Sequence, residues 1–253
     1  MILRRLATAA REQDWFTVFV ETCIVVVGLL IGLQINNWND ARSDRAKAEA
    51  FSERMLEDVT IAQTRLSGFL EARERRMRAI YKVEEMYFGD TGIVPLSDKE
   101  CEDFADSRII SMPPVRVPSL TEAFEGGRID LIEDPELVRA LIAVEQSEDR
   151  LRNAIGGMIA DAPRLDFEFP EAITRVRGTN PGEGGYRMGA ECHFLNQPRD
   201  PQFLSRMVHA TRINASYVFF LKEHLESLEK LEIVLKSGEL PAPSATSEAI
   251  EGQ

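Results

Sequence analysis

The chain has 253 residues, 44% of them hydrophobic and 28% charged, with a formal net charge of −12. These values suit one medium helical domain and exclude a chain too polar to fold. An acidic chain without a basic, aromatic-interleaved stripe repels phosphate backbones, so no nucleic-acid partner is expected, and three cysteines with three histidines leave little material for a metal or redox site.

Residues 1–14 read as a short N-terminal tail, and residues 15–38 as a transmembrane helix. From Phe16 to Leu33 the only strongly polar side chain is Glu21. At about 1.5 Å per residue the run covers about 27 Å of a roughly 30 Å hydrocarbon core. Trp15 and Trp38 bracket it, where indole rings meet lipid headgroups. No small-residue cleavage site follows, so an uncleaved signal-anchor is expected in place of a removed leader. Arg4, Arg5 and Arg11 before the run are balanced by Arg42, Arg45 and Lys47 after it, and charge alone leaves the orientation near a tie. The shortness of the tail favours the N-terminus inside and the remaining chain exported.

At about 100° per residue, Asp14, Glu21, Gly28, Gly32, Asn36 and Asn39 fall in one narrow sector of this helix. Gly28 and Gly32 make a GxxxG, which lets two helix backbones approach closely, and Glu21 on the same face is costly if it points at lipid. A transmembrane interface through Glu21, Gly28, Gly32, Asn36 and Asn39 is therefore expected. The plainer reading is a chance GxxxG, with Glu21 reaching the headgroup level.

The ending Leu33-Gln34-Ile35-Asn36-Asn37-Trp38-Asn39-Asp40, after an acidic residue and an apolar run, resembles the N-terminal hallmark of a family of single-span bacterial membrane proteins, the domain of unknown function family 6090. The stretch from Leu120 to Leu137 is similar to that family's middle segment, in which a short helix ends at Gly, passes an apolar L-x-L-I and restarts at Asn or Asp. Here Phe124 and Gly126 stand where the family often has Leu and Ser. The resemblance implies a bacterial membrane protein with a helical extramembrane domain, and carries no activity, cofactor or catalytic residue with it.

Residues 41–238 are expected to form that domain, with long helices at about 41–88, 135–160 and 201–236. Phe51, Met55, Val59, Ala62, Leu66, Phe69, Ile80, Val83 and Tyr87 keep the three-and-four spacing of a helix-packing seam. Gly89 and Gly92 end that helix, Ser97 with Glu100 reads as a capping box, and Ser119 reads as the cap of a short helix. Asp134, Pro135 and Glu136 provide N-cap, N1 proline and first-turn acid for the second long helix. Between Pro163 and Pro201, Gly, Pro and Asn predict irregular structure with one short helix near Phe169 to Val176. The last helix has its seam at Met207, Ala210, Asn214, Tyr217, Leu221, His224, Leu228, Leu231 and Leu235, with Gly238 as its cap and 239–253 as a disordered acidic tail. The fold class is all-α: an N-terminal transmembrane helix continuing into an antiparallel helical-bundle extramembrane domain.

Candidate chemistry is sparse. Cys23 reads as a small apolar residue of the span, whereas Cys101 and Cys192 are the only other cysteines. In an exported domain they suit one disulfide, and that bond and two free thiols both stay open. A metal held by Cys101, Cys192 and His193 lacks ligand spacing. Arg73, Arg75, Arg76 and Arg78 form the densest basic cluster. Glu71 with Arg75 and Glu74 with Arg78 are ordinary i,i+4 pairs of a solvated face. Arg73 and Arg76 occupy the seam, where a charge needs a partner, and are candidate anion contacts. The glycines of Asn180 to Gly185 follow no strand and read as a loop, and His224 reads as a satisfied core histidine.

No catalytic constellation or cofactor site emerges, so the expected function is a membrane-anchored interaction or scaffold protein. It sits in the bacterial cytoplasmic membrane, with the lipid bilayer and a second copy or a partner membrane protein as its contacts. The alternative is a periplasmic ligand-sensing helical domain that acts through a membrane partner.

Overall fold

A computed structural model of the protein describes residues 15–90, 92–127, 129, 132, 134–182, 185–193 and 200–237. The expected tails 1–14 and 239–253, Gly238 and the side chain of Glu21 lie outside the described residues. The chain is mostly helical. In order it forms α1 (Trp15–Phe88), α2 (Asp98–Ala105), a 3-10 turn (Asp106–Arg108), α3 (Pro118–Glu125), α4 (Pro135–Asp161), α5 (Leu165–Glu168), β1 (Ile173–Gly182), β2 (Gly185–Cys192) and α6 (Pro201–Ser237). Two compact units divide the described residues, one up to Ser52 and one from Glu53 onward.

In the first unit α1 carries the apolar run. It is the one helix among the described residues long and apolar enough, by length and composition, to cross a membrane. Every described side chain from Thr22 to Ala50 is exposed, including Ile24, Leu29, Leu33 and Trp38. Past the run the surface is polar all round, and local pairs support the helix: Asn36 Nδ2 donates to Asp40 Oδ2 at 2.9 Å, and Lys47 Nζ lies 2.9 Å from Asp44 Oδ1.

The second unit holds the buried core. From Glu53 onward α1 buries Met55, Val59, Ala62, Leu66, Leu70, Met77, Ile80, Val83 and Tyr87, as the three-and-four spacing demands. The same spacing buries Leu141, Val144, Leu151 and Ile155 of α4, and Met207, Ala210, Tyr217, Leu221, Leu228 and Leu231 of α6. Contacts between α1 and α6 run in opposite directions: Gln63 Nε2 donates to Leu228 O, Phe69 meets Tyr217 edge-on and Tyr87 meets Phe203. The α4 and α6 contacts are antiparallel too, from Ser147 with His224 to Asp161 with His209.

Local sequence chemistry sets most helix ends. Ser97 and Glu100 form the capping box of α2, each side chain meeting the other's backbone N–H. Asp134 Oδ1 accepts the Glu136 N–H at 2.8 Å, with Pro135 at the first position of α4. The start of α3 corrects the expectation of a Ser119 cap. Its first residue is Pro118, Val117 at the N-cap makes no side-chain bond, and the Ser119 N–H donates to Asp58 Oδ2 of α1 at 3.0 Å. A carboxylate sixty-one positions away does the capping, which no local pattern announces.

Residues 163–201 hold the largest correction. The helix expected near Phe169 to Val176 is absent; a single turn, α5, precedes it, and residues 173–182 and 185–192 pair as an antiparallel ribbon. The strands pair from Ile173 with Cys192 to Gly182 with Gly185, and the register shifts between Arg177 and Pro181. Proline is tolerated in strands at such irregularities, and so masks a strand in sequence. Ile173 and Ala190 are buried in a core shared with Ile80, Val83, Phe104, Phe169 and Phe203, and that core selects the ribbon.

Cys101 of α2 and Cys192 of β2 form a disulfide, with Cα atoms 5.8 Å apart and 91 positions between them. Closing so long a loop restricts the unfolded chain by about 4–5 kcal/mol in the chain-entropy account.

Candidate functional site

Two places hold the candidate residues. On α1, the positions where Gly28 and Gly32 would carry a Cβ meet no atom within 4 Å. Beside Gly28 runs a shallow, wholly apolar groove lined by Phe19, Cys23, Ile24, Val27 and Ile31. Asn36 and Asn39 are exposed, and the Asn36 amide is bonded to Asp40 of its own helix.

The second place is a polar layer inside the second unit, where α1, the 3-10 turn, α5, β1 and α6 converge. Arg73 is 8% exposed, and its guanidinium lies 4.7 Å from the Phe69 ring centroid and 5.3 Å from that of Tyr217. Its Nη1 donates to Ile109 O, and Nη2 donates to Ser111 Oγ at 3.1 Å. The Tyr217 hydroxyl donates to Ser111 O. Burial pushes the Arg73 pKa down and the Tyr217 pKa up, since water no longer solvates either charged form. Arg73 is thus held by a carbonyl, a hydroxyl and two rings.

Arg76 sits differently. Its Nη2 is 3.6 Å from Asp106 Oδ2, while Nη1 is buried without a hydrogen-bond partner among the described residues. Asp106 Oδ1 accepts from Arg175 Nη1 at 2.9 Å, Arg175 Nε donates to Asp166 Oδ2 at 2.8 Å, and Arg108 Nε lies 3.4 Å from Asp166 Oδ1. Arg175 Nη2 also donates to Ala105 O at 2.7 Å. Burial works against the Arg175 charge, but the bonds to Asp166 and Asp106 outweigh it and raise the pKa. Asn214 Nδ2 closes the layer from α6 by donating to Ser107 O at 3.0 Å.

Seam position singled out Arg73 and Arg76, and the fold brings both into one layer. Arg108, Asp106, Asp166 and Arg175 gave no signal, because their partners lie up to 70 positions apart and Arg175 falls in the stretch read as irregular. Nearby, Arg75 and Lys99 both pair with Asp103, and Lys82 donates to Glu100 at 2.7 Å. That bond, with those from Ser97, lowers the Glu100 pKa to about 2.

His224 lies apart between α4 and α6, 2.9 Å by Nδ1 from Ser147 Oγ. Burial pushes its pKa down to about 4, so the ring is neutral at pH 7. Among the described residues no group of three His, Cys, Asp or Glu side chains is placed to hold a metal. Protein-family models, curated proteins and solved structures contain no match to the chain.

Proposed function

We propose that the protein is a single-span membrane protein whose helical domain lies outside the cytoplasm and acts in protein–protein association. The observation that carries this reading is the exposure of every described side chain of the apolar α1 segment from Thr22 to Leu33. Leaving that many Ile, Val and Leu side chains in water, at about 1.5–3 kcal/mol each, is untenable without a cover, and a bilayer supplies one to a helix apolar on all sides. The length matches, and Trp38 at the edge suits the headgroup level. The family resemblance points to a bacterial cytoplasmic membrane. The second unit is read as an antiparallel helical bundle on the exported side, supported by the Cys101–Cys192 bond, which persists in oxidising compartments.

Association is assigned to the face of Glu21, Gly28, Gly32, Asn36 and Asn39. The open space at both glycines lets a second helix, of another copy or of a partner membrane protein, pack close. The chain should remain in the membrane fraction after alkaline carbonate extraction, and release into the supernatant would refute the anchor. In mild detergent Gly32→Ile should eliminate the crosslinked oligomer or the co-purifying partner, and unchanged association would refute the interface. A thiol probe at the N-terminal tail that labels from the periplasm would reverse the topology.

A further inference from the structure

Helix α4 is fastened by polar contacts that each depend on a proton. Among the described residues its side-chain bonds to other helices all end on α6: Ser147 Oγ lies 2.9 Å from His224 Nδ1, Arg150 Nη2 lies 2.6 Å from Glu223 Oε1, and Asp161 Oδ2 lies 3.0 Å from His209 Nε2. Their demands differ. Arg150 needs an ionised Glu223, and Asp161 attracts His209 only when that ring is protonated. Ser147 Oγ spends its one hydrogen on Val144 O at 2.8 Å, so His224 donates from Nδ1 and a second proton would go to Nε2, which has no bond among the described residues. That proton would charge a ring 4% exposed, at the level of Val144 and Leu151 on α4, Leu221 and Leu228 on α6 and Leu66 on α1, all of them buried. The charged side chains at this level are Arg150 with Glu223, Glu148 with Arg152 and Lys222 with Glu74, besides the exposed Arg65 of α1, and burial alone depresses the proton affinity of the ring.

The helix also has a weak point, between Ser147 and Asp161. Gly156 and Gly157 are exposed in its interior, and a Cβ at either would meet no atom within 4 Å, so close packing does not require them. Adjacent glycines are poor helix formers and a common place for a helix to bend. Beyond them the chain is pinned by Asp161 and by Leu165, which is 1% exposed in the core.

We propose that α4 is an arm which acid releases from α6, with residues 135–155 swinging about Gly156 and Gly157 while the Asp161 end stays in place. Swung out, His224 is solvated and takes up its proton near the ordinary value of 6.5; docked, burial holds that value near 4. The docked form is therefore favoured fully above about pH 6.5, and its advantage fades as pH falls toward 4. His209 works in the opposite sense, since its proton creates the pair with Asp161 and keeps the far end closed. The pair of Arg150 with Glu223 is half-exposed and adds little, which leaves His224 to decide. Each opening uncovers the buried stripe of Leu141, Val144 and Leu151. No residue before Glu53 takes part, so the arm stands or falls independently of the membrane reading.

The test is amide hydrogen exchange of the full chain in neutral detergent, read by mass spectrometry and corrected for the intrinsic pH dependence of exchange. Off α6, a helix of this length is marginal in water, so its amides report the swing. Between about pH 7.5 and about pH 5.5, residues 136–155 should lose about tenfold in protection, while 158–161 and the buried part of α1 hold theirs. His224→Gln, which keeps a donor for Ser147 and takes up no proton, should remove that response. A response that survives His224→Gln, a loss running evenly through Asp161, or no loss at all would overturn the arm. Should His224→Gln fail to fold, the unaltered chain decides: a loss confined to residues 136–155 supports the arm, and an equal loss in residues 55–87 of α1 overturns it.

Discussion

The two ends of α1 share a backbone conformation and differ in what surrounds them. Between Thr22 and Ala50 all described side chains are exposed, whether apolar before Trp38 or charged after it. Between Met55 and Tyr87 one stripe of apolar residues, recurring every three or four positions, is buried with Arg73 drawn in among them, while Ile61 and Tyr81 off the stripe stay exposed. The difference lies in angular distribution more than in apolar content. A helix apolar on all sides needs an apolar medium around it, whereas a helix apolar along one stripe needs only neighbours on that side. Continuity of the helix therefore says nothing about shared surroundings.

The contrast is broken most forcefully by truncating one leucine in each region. Leu66→Ala, at a site with no exposure, should destabilise the second unit by about 2–5 kcal/mol in denaturant unfolding. Leu29→Ala, 64% exposed, should leave that transition unmoved. Equal losses would mean that the Leu29 segment folds against the same core.

Acid sharpens it next. His224 titrates near 4 when folded and near 6.5 when unfolded, so the unfolded chain takes up the proton first as pH falls. The stability linked to the neutral ring is full above about pH 6.5 and declines as pH drops toward 4, by about 3 kcal/mol in all. His224→Gln should flatten that part of the pH profile of the unfolding midpoint, and an unchanged slope would assign the loss to other groups.

A smaller effect belongs to the buried cation. Arg73→Met fills a similar volume but leaves the Ile109 carbonyl and Ser111 hydroxyl without their donor, and should cost about 1–3 kcal/mol. The smallest concerns a cap: Asp134→Ala removes the acceptor of the Glu136 N–H and should cost about 1 kcal/mol, which a shift of a few degrees in the melting temperature would show.

The parts of this molecule legible in its residues are those governed by nearest neighbours along the chain. Ser97 with Glu100 and Asp134 with Pro135 act within one helical turn, so their spacing announces the helix starts. The seams of α1 and α6 follow the same logic, since burial on one side of a helix is a matter of period. The candidate layer was legible only at its edge: Arg73 and Arg76 stand out as charges on an apolar stripe. The roles of the two arginines were not legible, because they depend on Ile109, Ser111 and Asp106, which reach the layer from a separate turn.

The ribbon of residues 173–182 and 185–192 marks the limit most clearly. Its composition of Gly, Pro and Asn argues for irregular structure, and strand pairing prevails because Ile173 and Ala190 find a core and Cys192 finds Cys101. Asp58 at the start of α3 and Asp106 between Arg76 and Arg175 belong with it. The sequence alone determined the long helices, the caps of α2 and α4 and the apolar run, for these follow from interactions within a few residues. Tertiary structure alone decided the ribbon, the remote cap and the arginine layer, because each pairs groups that only folding brings into reach.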